Sequence, residues 1–305
     1  MKIFKNRGDI YIPQTKFKSD LEQKALLITL TCVVVFTAVF LLVIGIKYDF
    51  SAEKFFKPDN LKNQTVETLE ELPEVSGKTN FLFVLSNEET EDLYFCSIIQ
   101  VDLDTISYKA CTLSNNTVFN GKKITDIYKA GGAGNVMNAV NQNIGISVDY
   151  YVDQNIDDFR KMYNSMGKVR YNVLNDVKYK DTSFYGFNIK VKSGEQNLDG
   201  DMASKLMRYY VDKEHNYEAV NEILLSTLSQ QLNEENYEKK EKLFSTFIDC
   251  SKTNISVKNF TENLNGLKVL SSETTGVNVY NVNSQYEGDN LVSSSVSEIK
   301  GYFTK

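Results

Sequence analysis

The sequence predicts an α/β domain, a central mixed β-sheet with helices on both faces, preceded by one transmembrane helix. Three observations predict it. The stretch 25–46 carries no charge. From residue 80 onward, short apolar runs rich in β-branched and aromatic residues alternate with amphipathic stretches, without long polar gaps. The three prolines, at 13, 58 and 73, all fall outside that alternating region.

At roughly 1.5 Å of rise per residue, 25–46 covers the ~30 Å hydrocarbon core of a bilayer. Within lipid the backbone must satisfy its own hydrogen bonds, which demands a helix. A buried helix of a soluble domain would show a polar stripe, and this one is apolar on every face. Before it stand Lys2, Lys5, Arg7, Lys16, Lys18 and Lys24 against three acids, whereas 47–74 carries four Lys against seven acids. The basic excess puts residues 1–24 in the cytoplasm as a short tail. The expected location is the plasma membrane, single-pass, with the C-terminal domain extracytoplasmic. Residues 47–79 read as a stalk, with Glu67, Glu70, Glu71 and Glu74 as a solvated face. Residues 80–228 read as the core, and 229–305 as helices and strands completing the same domain, with a weakly ordered tail.

The net charge of −6 argues against nucleic acid as a partner. A single histidine, His215, cannot build a His-rich metal site and leaves one candidate for Ser-His or Cys-His chemistry. The four cysteines contain no CxxC pair, so zinc and thioredoxin-type chemistry have no support. Cys96 and Cys111 fall on strand-like runs that could face each other, which leaves a disulfide open within its geometric limits. Buried free thiols are the plainer reading of all four.

The elements follow in order. Residues 81–85 are a short apolar run of buried-strand type, 93–101 a second strand, and 106–113 its return, with Asp102 and Asp104 as turn formers. After a polar loop, Gly131, Gly132 and Gly134 allow a tight turn into a helix at 135–144, which Gly145 stops. This Gly-rich segment fits neither GxxxxGK[ST] nor GxGxxG, so it is weak evidence for phosphate binding. Residues 148–152 read as a strand and 156–166 as an amphipathic helix. Short strands fill 169–192 and a turn occupies 194–198. Asp199 suits the N-cap of a helix at 200–210. Helices are expected at 217–231, 237–249 and 256–264, strands at 267–270 and 277–282, and weak patterning over 288–305.

Four groups of residues, in this order, resemble motifs of the LytR–CpsA–Psr family of Gram-positive cell envelopes. Lys123-Ile124-Thr125 through Tyr128 to Gly131-Gly132 is similar to KIN-x-x-Y-x-x-GG. Residues 144–152 are similar to LGI-x-IDYYV, and Asn155 to Phe159 to NF-x-GF. Gly194, Gln196, Leu198, Gly200, Ala203 and Arg208 follow G-x-Q-x-L-x-G-x-x-A-x-x-x-x-R. The resemblance covers about 80–228. It implies an α/β sandwich around an apolar tunnel that binds a polyprenyl-pyrophosphate-linked glycan and, with Mg²⁺, transfers it to peptidoglycan. Such chemistry needs guanidinium groups on the pyrophosphate and carboxylates on the metal.

At those positions this sequence departs from the family pattern. The family's Arg-x-Asp falls near Asp92 and Tyr94. Its Pro-Arg-Asp-Thr falls on Ser114, Asn115, Asn116 and Thr117. The second Arg of its R-x-R is Tyr210, and the later Arg-rich stretch falls on 215–219, which has no Arg. Lys123 and Arg208 remain as the candidate catalytic cations, with Asn115, Asn116, Tyr94 and Tyr210 as candidate ligand-binding residues and no metal ligand assigned. Each lost charge-assisted contact is worth ~1.5–3 kcal/mol. The losses favour a pseudoenzyme that binds or scaffolds polyprenyl-linked glycan or cell-wall components. The alternatives are a phosphotransferase using Mg²⁺ and a structural anchor without ligand.

Overall fold

A computed structural model describes residues 71–87, 89–182 and 186–304. The expected tail at 1–24, membrane helix at 25–46 and stalk residues 47–70 lie outside the described residues. Among the described residues no helix is long and apolar enough to cross a membrane.

Strand β1 (Lys78–Asn87) is buried from Leu82 to Ser86 because it runs mid-sheet. It pairs antiparallel with β2 (Asp92–Asp102) on one side and parallel with β6 (Tyr150–Asn155) on the other. β2 continues into β3 (Ser107–Ser114), and the Asp102 carboxylate closes that turn by accepting from the backbone N–H groups of Asp104 and Thr105. β11 (Lys252–Thr253) and β12 (Asn278–Asn281) complete the order β11-β6-β1-β2-β3-β12. The sheet is therefore mixed, as the sequence predicts.

Alternation along the strands sends side chains to two faces. Leu82, Val84, Cys96, Ile98, Cys111 and Leu113 pack on α1 (Ile124–Ile144) and on α9 (Ser293–Thr304). On the opposite face, Phe83, Leu85 and Phe95 meet α2 (Ile156–Met166), α3 (Gly200–Tyr209) and α4 (Tyr217–Gln231). Aromatic rings fill that second layer: Phe83 lies 6.1 Å from both Phe95 and Phe159, and Phe159 lies 5.4 Å from Tyr163. Side-chain caps start the helices there. Asn155, Asp199 and Asn216 accept from the third residue of α2, α3 and α4 respectively, so the expected Asp199 cap is present. A π-helical turn, Tyr210–Glu214, follows α3.

Several elements differ from the sequence reading. The helix expected at 135–144 begins at Ile124 and is broken at Gly131–Gly132, where Gly132 has φ 67°. The expected turn at 194–198 is strand β10 (Gly194–Leu198), paired with β7 (Val169–Val173); a two-stranded ribbon with one wet face needs few apolar residues. β8 (Val177–Lys180) and β9 (Asn188–Val191) form a further ribbon, and β4 (Val118–Phe119) and β5 (Lys122–Lys123) a shorter one ahead of α1. The expected helix at 237–249 is two, α5 (Glu234–Glu238) and α6 (Lys240–Asp249), and that at 256–264 shortens to α7 (Val257–Glu262). The expected strand at 267–270 is helix α8 (Leu264–Ser271), since a short apolar run does not distinguish the two.

The weakly patterned tail forms α9, whose inward residues Ser295, Ile299 and Phe303 are four apart. The backbone carbonyls at its C-terminal end are bonded into the sheet. Tyr302 O accepts from Lys109 Nζ at 3.1 Å, and Phe303 O accepts from Gln100 Nε2 at 3.1 Å and Asn80 Nδ2 at 3.4 Å. Cys96, Cys111 and Cys250 are buried free thiols, so the disulfide left open by the sequence is not formed. Burial pushes the Cys96 thiol up to about 12.

Candidate functional site

The parallel strands β1 and β6 end side by side at Asn87 and Asn155, a place where α/β sheets commonly take ligands. Two clefts open there and share Ser86, Asn87 and Asn155. The first, about 590 Å³, is walled by α2, α3 and the segment leading into β9. The second, about 530 Å³, involves residues of α1, β6 and the approach to β11.

Arg208 dominates the first cleft. It is 6% exposed, and its guanidinium carbon lies 4.2 Å from the Tyr94 ring centroid and 4.3 Å from that of Phe187. Both rings hold the guanidinium by cation–π attraction. Burial lowers the Arg208 pKa, opposed by Tyr94, Asp212 and Asp181. Burial also raises the Tyr94 phenol, opposed by the Arg208 charge.

Two further cations line this cleft. Arg160 of α2 reaches Asp157 at 3.1 Å and Asp201 at 2.6 Å, and Lys205 of α3 reaches Asp201 at 2.6 Å. Asp201, Lys205 and Arg208 are spaced by four and three residues and so share one helix face. Gly200 brings α3 against α2: a Cβ there would lie 2.7 Å from the Arg160 Cα, so no other residue fits without displacing backbone. The lining holds Arg160, Lys205 and Arg208 against Glu89, Asp157 and Asp201, and its formal charge cancels.

The second cleft is built differently. Asp153 is buried and accepts from Tyr128 Oη at 2.9 Å and from Ser86 Oγ at 3.1 Å. Burial raises its pKa, against those two hydrogen bonds and the Lys252 charge. Burial likewise pushes the Tyr128 phenol up to about 12. Glu91, Asp153, Asp158 and Asp249 outnumber Lys129 and Lys252 around it.

Of the residues singled out by the sequence, Arg208 and Tyr94 meet in the first cleft. Asn115, Asn116 and Lys123 come together at the β3–α1 connection and line neither cleft. There Lys123 Nζ donates to Asn116 Oδ1 at 3.2 Å and pairs with Asp289 at 3.1 Å. Tyr210 is buried in the ring-filled layer against Tyr171. Sequence reasoning missed Arg160, Asp201, Lys205 and Phe187. The helical spacing behind Arg208 could have found two of them.

The acids present do not fit a Mg²⁺ site. Asp157 and Asp201 are ion-paired with Arg160 and Lys205. Among the described residues, no group of three His, Cys, Asp or Glu side chains is arranged to hold a metal ion. What the first cleft suits chemically is an anionic group near its cations, with hydrogen-bonding neighbours in the Ser86 hydroxyl and the Asn87, Asn155 and Asn188 carboxamides.

A mixed sheet covered on both faces, with a guanidinium clamped at its strand ends, places the chain among α/β sandwich proteins with a polar cleft beside the switch in strand direction. Within that class, the chain belongs to the LytR_cpsA_psr family, whose model matches residues 86–301. An uncharacterized protein of Staphylococcus aureus is 33% identical over 111 residues, which is 36% of this chain and 26% of that relative. Thus the match spans about a quarter of the relative's length. Among solved structures, a putative transcription regulator from Eubacterium siraeum superposes with a TM-score of 0.65 at 15% identity, covering 77% of this chain and 94% of the other. TagV of B. subtilis gives 0.60 at 17%, covering 76% and 97%. TagT bound to LI-WTA gives 0.56 at 17%, covering 77% and 94%. At these identities the likeness is one of fold.

Proposed function

We propose that this protein is a membrane-anchored, extracytoplasmic envelope protein that binds the phosphate-bearing end of a polyprenyl-linked glycan without transferring it. The observation that carries the reading is the buried Arg208, its guanidinium carbon 4.2 Å and 4.3 Å from the Tyr94 and Phe187 ring centroids, lining a cleft beside the strand ends. Family membership and the TagT neighbour bound to LI-WTA support a glycopolymer ligand. The uncharged stretch 25–46 supports anchoring beside the lipid carrier. The aromatic filling between sheet and helices counts against a prenyl chain inside the domain, so in this reading the prenyl tail stays in the bilayer. Peptidoglycan is then a neighbour rather than an acceptor.

A second reading, a Mg²⁺-using transferase of glycan onto peptidoglycan, is favoured by one observation: Arg160, Lys205 and Arg208 gather in a single cleft. Lipid extraction separates the two. Full-length protein purified from a membrane fraction should carry polyprenyl-phosphate-linked glycan by mass spectrometry, and Arg208→Ala should lose it. Mg²⁺-dependent release of polyprenyl phosphate by the wild type would instead establish transfer. Absence of both would leave a structural anchor.

A further inference from the structure

The β7–β10 and β8–β9 ribbons are successive parts of one two-stranded arm. Val173 faces Gly194 and Val177 faces Val191, so 174–176 on one strand bridge the gap that 192–193 bridge on the other. One extra residue on one strand is a bulge, which twists and bends a ribbon. The inner side chains, among them Tyr171, Val173, Val177, Ile189 and Val191, belong to the ring-filled core. The outer side is basic: within 169–198 five cations stand against three acids, in a chain of net charge −6. Lys178 lies directly opposite Lys190 in the β8–β9 ladder, and both are exposed, as is Lys180. Like charges so placed repel and weaken a ribbon. Among the described residues no acid forms an ion pair with any of these three lysines. The neighbouring Asp176 is committed to Lys192 at 2.5 Å and to the Ser193 N–H at 2.9 Å. Leu174, 67% exposed, continues the outward series of Arg170 and Asn172 into the bulge.

We propose that this outer face docks on an anionic lipid surface, with Lys178, Lys180 and Lys190 on headgroup phosphates and Leu174 at the boundary with the acyl chains. Phosphates there offset the repulsion that the bare ribbon carries. A layer of headgroups engages all three lysines at once, which a single small anion does not. An exposed leucine beside lysines suits an interface, where the apolar group enters and the ammonium groups stay in the polar layer. A soluble polyanion offers no such apolar layer. Fully extended, residues 47–70 reach ~80 Å at most, so a bilayer that holds 25–46 stays within range of the domain. The inference rests on the membrane anchoring in the proposed function, and on no group lining either cleft.

The test uses the full-length chain reconstituted into vesicles of phosphatidylcholine, alone or mixed with phosphatidylglycerol. Flotation reports anchoring. A membrane-impermeant acetylating reagent, read by mass spectrometry, then reports each lysine relative to Lys258 on α7, whose side chain is 81% exposed. Lys180 should react ~5-fold more slowly on the phosphatidylglycerol vesicles than on the neutral ones. High salt should erase the difference. Lys190→Glu should return Lys180 to within ~2-fold of its rate on neutral vesicles. The same variant should melt no lower than wild type in detergent, because its carboxylate faces Lys178. Leu174→Ser, which leaves every charge in place, should lose part of the protection. Equal Lys180 reactivity on both kinds of vesicle, with the protein floating on each, would overturn the inference and leave the anchoring standing. Soluble polyphosphate that protects Lys180 on neutral vesicles as well as phosphatidylglycerol does would overturn the lipid assignment in favour of a polyanion. Protein that floats with neither vesicle would overturn both the inference and the anchoring.

Discussion

The two clefts share Ser86, Asn87 and Asn155 yet handle charge in opposite ways. On the α2–α3 side the dominant charged group is a guanidinium gripped by rings, and its neighbours are partly exposed ion pairs. On the α1 side it is a buried carboxylate held by two hydroxyl donors. Partly exposed pairs add little stability and can be exchanged for a ligand. A buried hydrogen-bonded carboxylate contributes to the fold and is expensive to disturb. The same strand ends thus present one exchangeable face and one structural face.

The contrast breaks most sharply if Arg208 is removed. Arg208→Ala should weaken glycan phosphate binding ~10–100-fold, the ~1.5–3 kcal/mol of a charge-assisted contact, read by retention of ligand on purification. Arg208→Lys should recover only part of this, because an ammonium lacks the planar fork that stacks between two rings. On the other face, Tyr128→Phe should lower the unfolding free energy by ~1–3 kcal/mol in urea titration, since the buried Asp153 loses a donor, while ligand retention stays unchanged.

A smaller effect concerns pH. The Asp153 pKa is raised in the folded state above its ordinary value of 3.8. The folded state therefore holds this proton more tightly than the unfolded chain does. Its stabilising contribution is complete below that ordinary value and is lost as pH rises through the raised one. Asp153→Asn should flatten this part of the stability profile above about pH 4, measured by melting temperature against pH. The smallest effect is expected at Asp157, whose side chain is 91% exposed. Asp157→Asn should give no measurable change in melting temperature.

The layered fold was legible because strand and helix periods alternate cleanly from 80 to 231. After that, Leu267 to Leu270 looked equally apolar to either period, and the serines of α9 hid its narrow stripe of Ser295, Ile299 and Phe303. The site was half legible. Arg208 stood out by motif, and Asp201 and Lys205 lay within reach at helical spacing. Arg160 and Phe187 were beyond reach, because they enter the cleft only through the packing of α2 on α3 and the approach to β9. Asn115, Asn116 and Lys123 did come together, but around Asp289, a residue that sequence position alone does not bring near.

The anchoring of α9 has a consequence for how the chain matures. Asn80, Gln100 and Lys109 belong to the first three strands, yet the acceptors they use at Tyr302 and Phe303 lie 193 to 223 residues later in the chain. Until those arrive, the polar groups at that edge of the sheet must remain hydrated. The central strands can pair early, but this seam closes only once α9 has been made, so a nascent chain stalled before residue 302 would carry these donors without their acceptors.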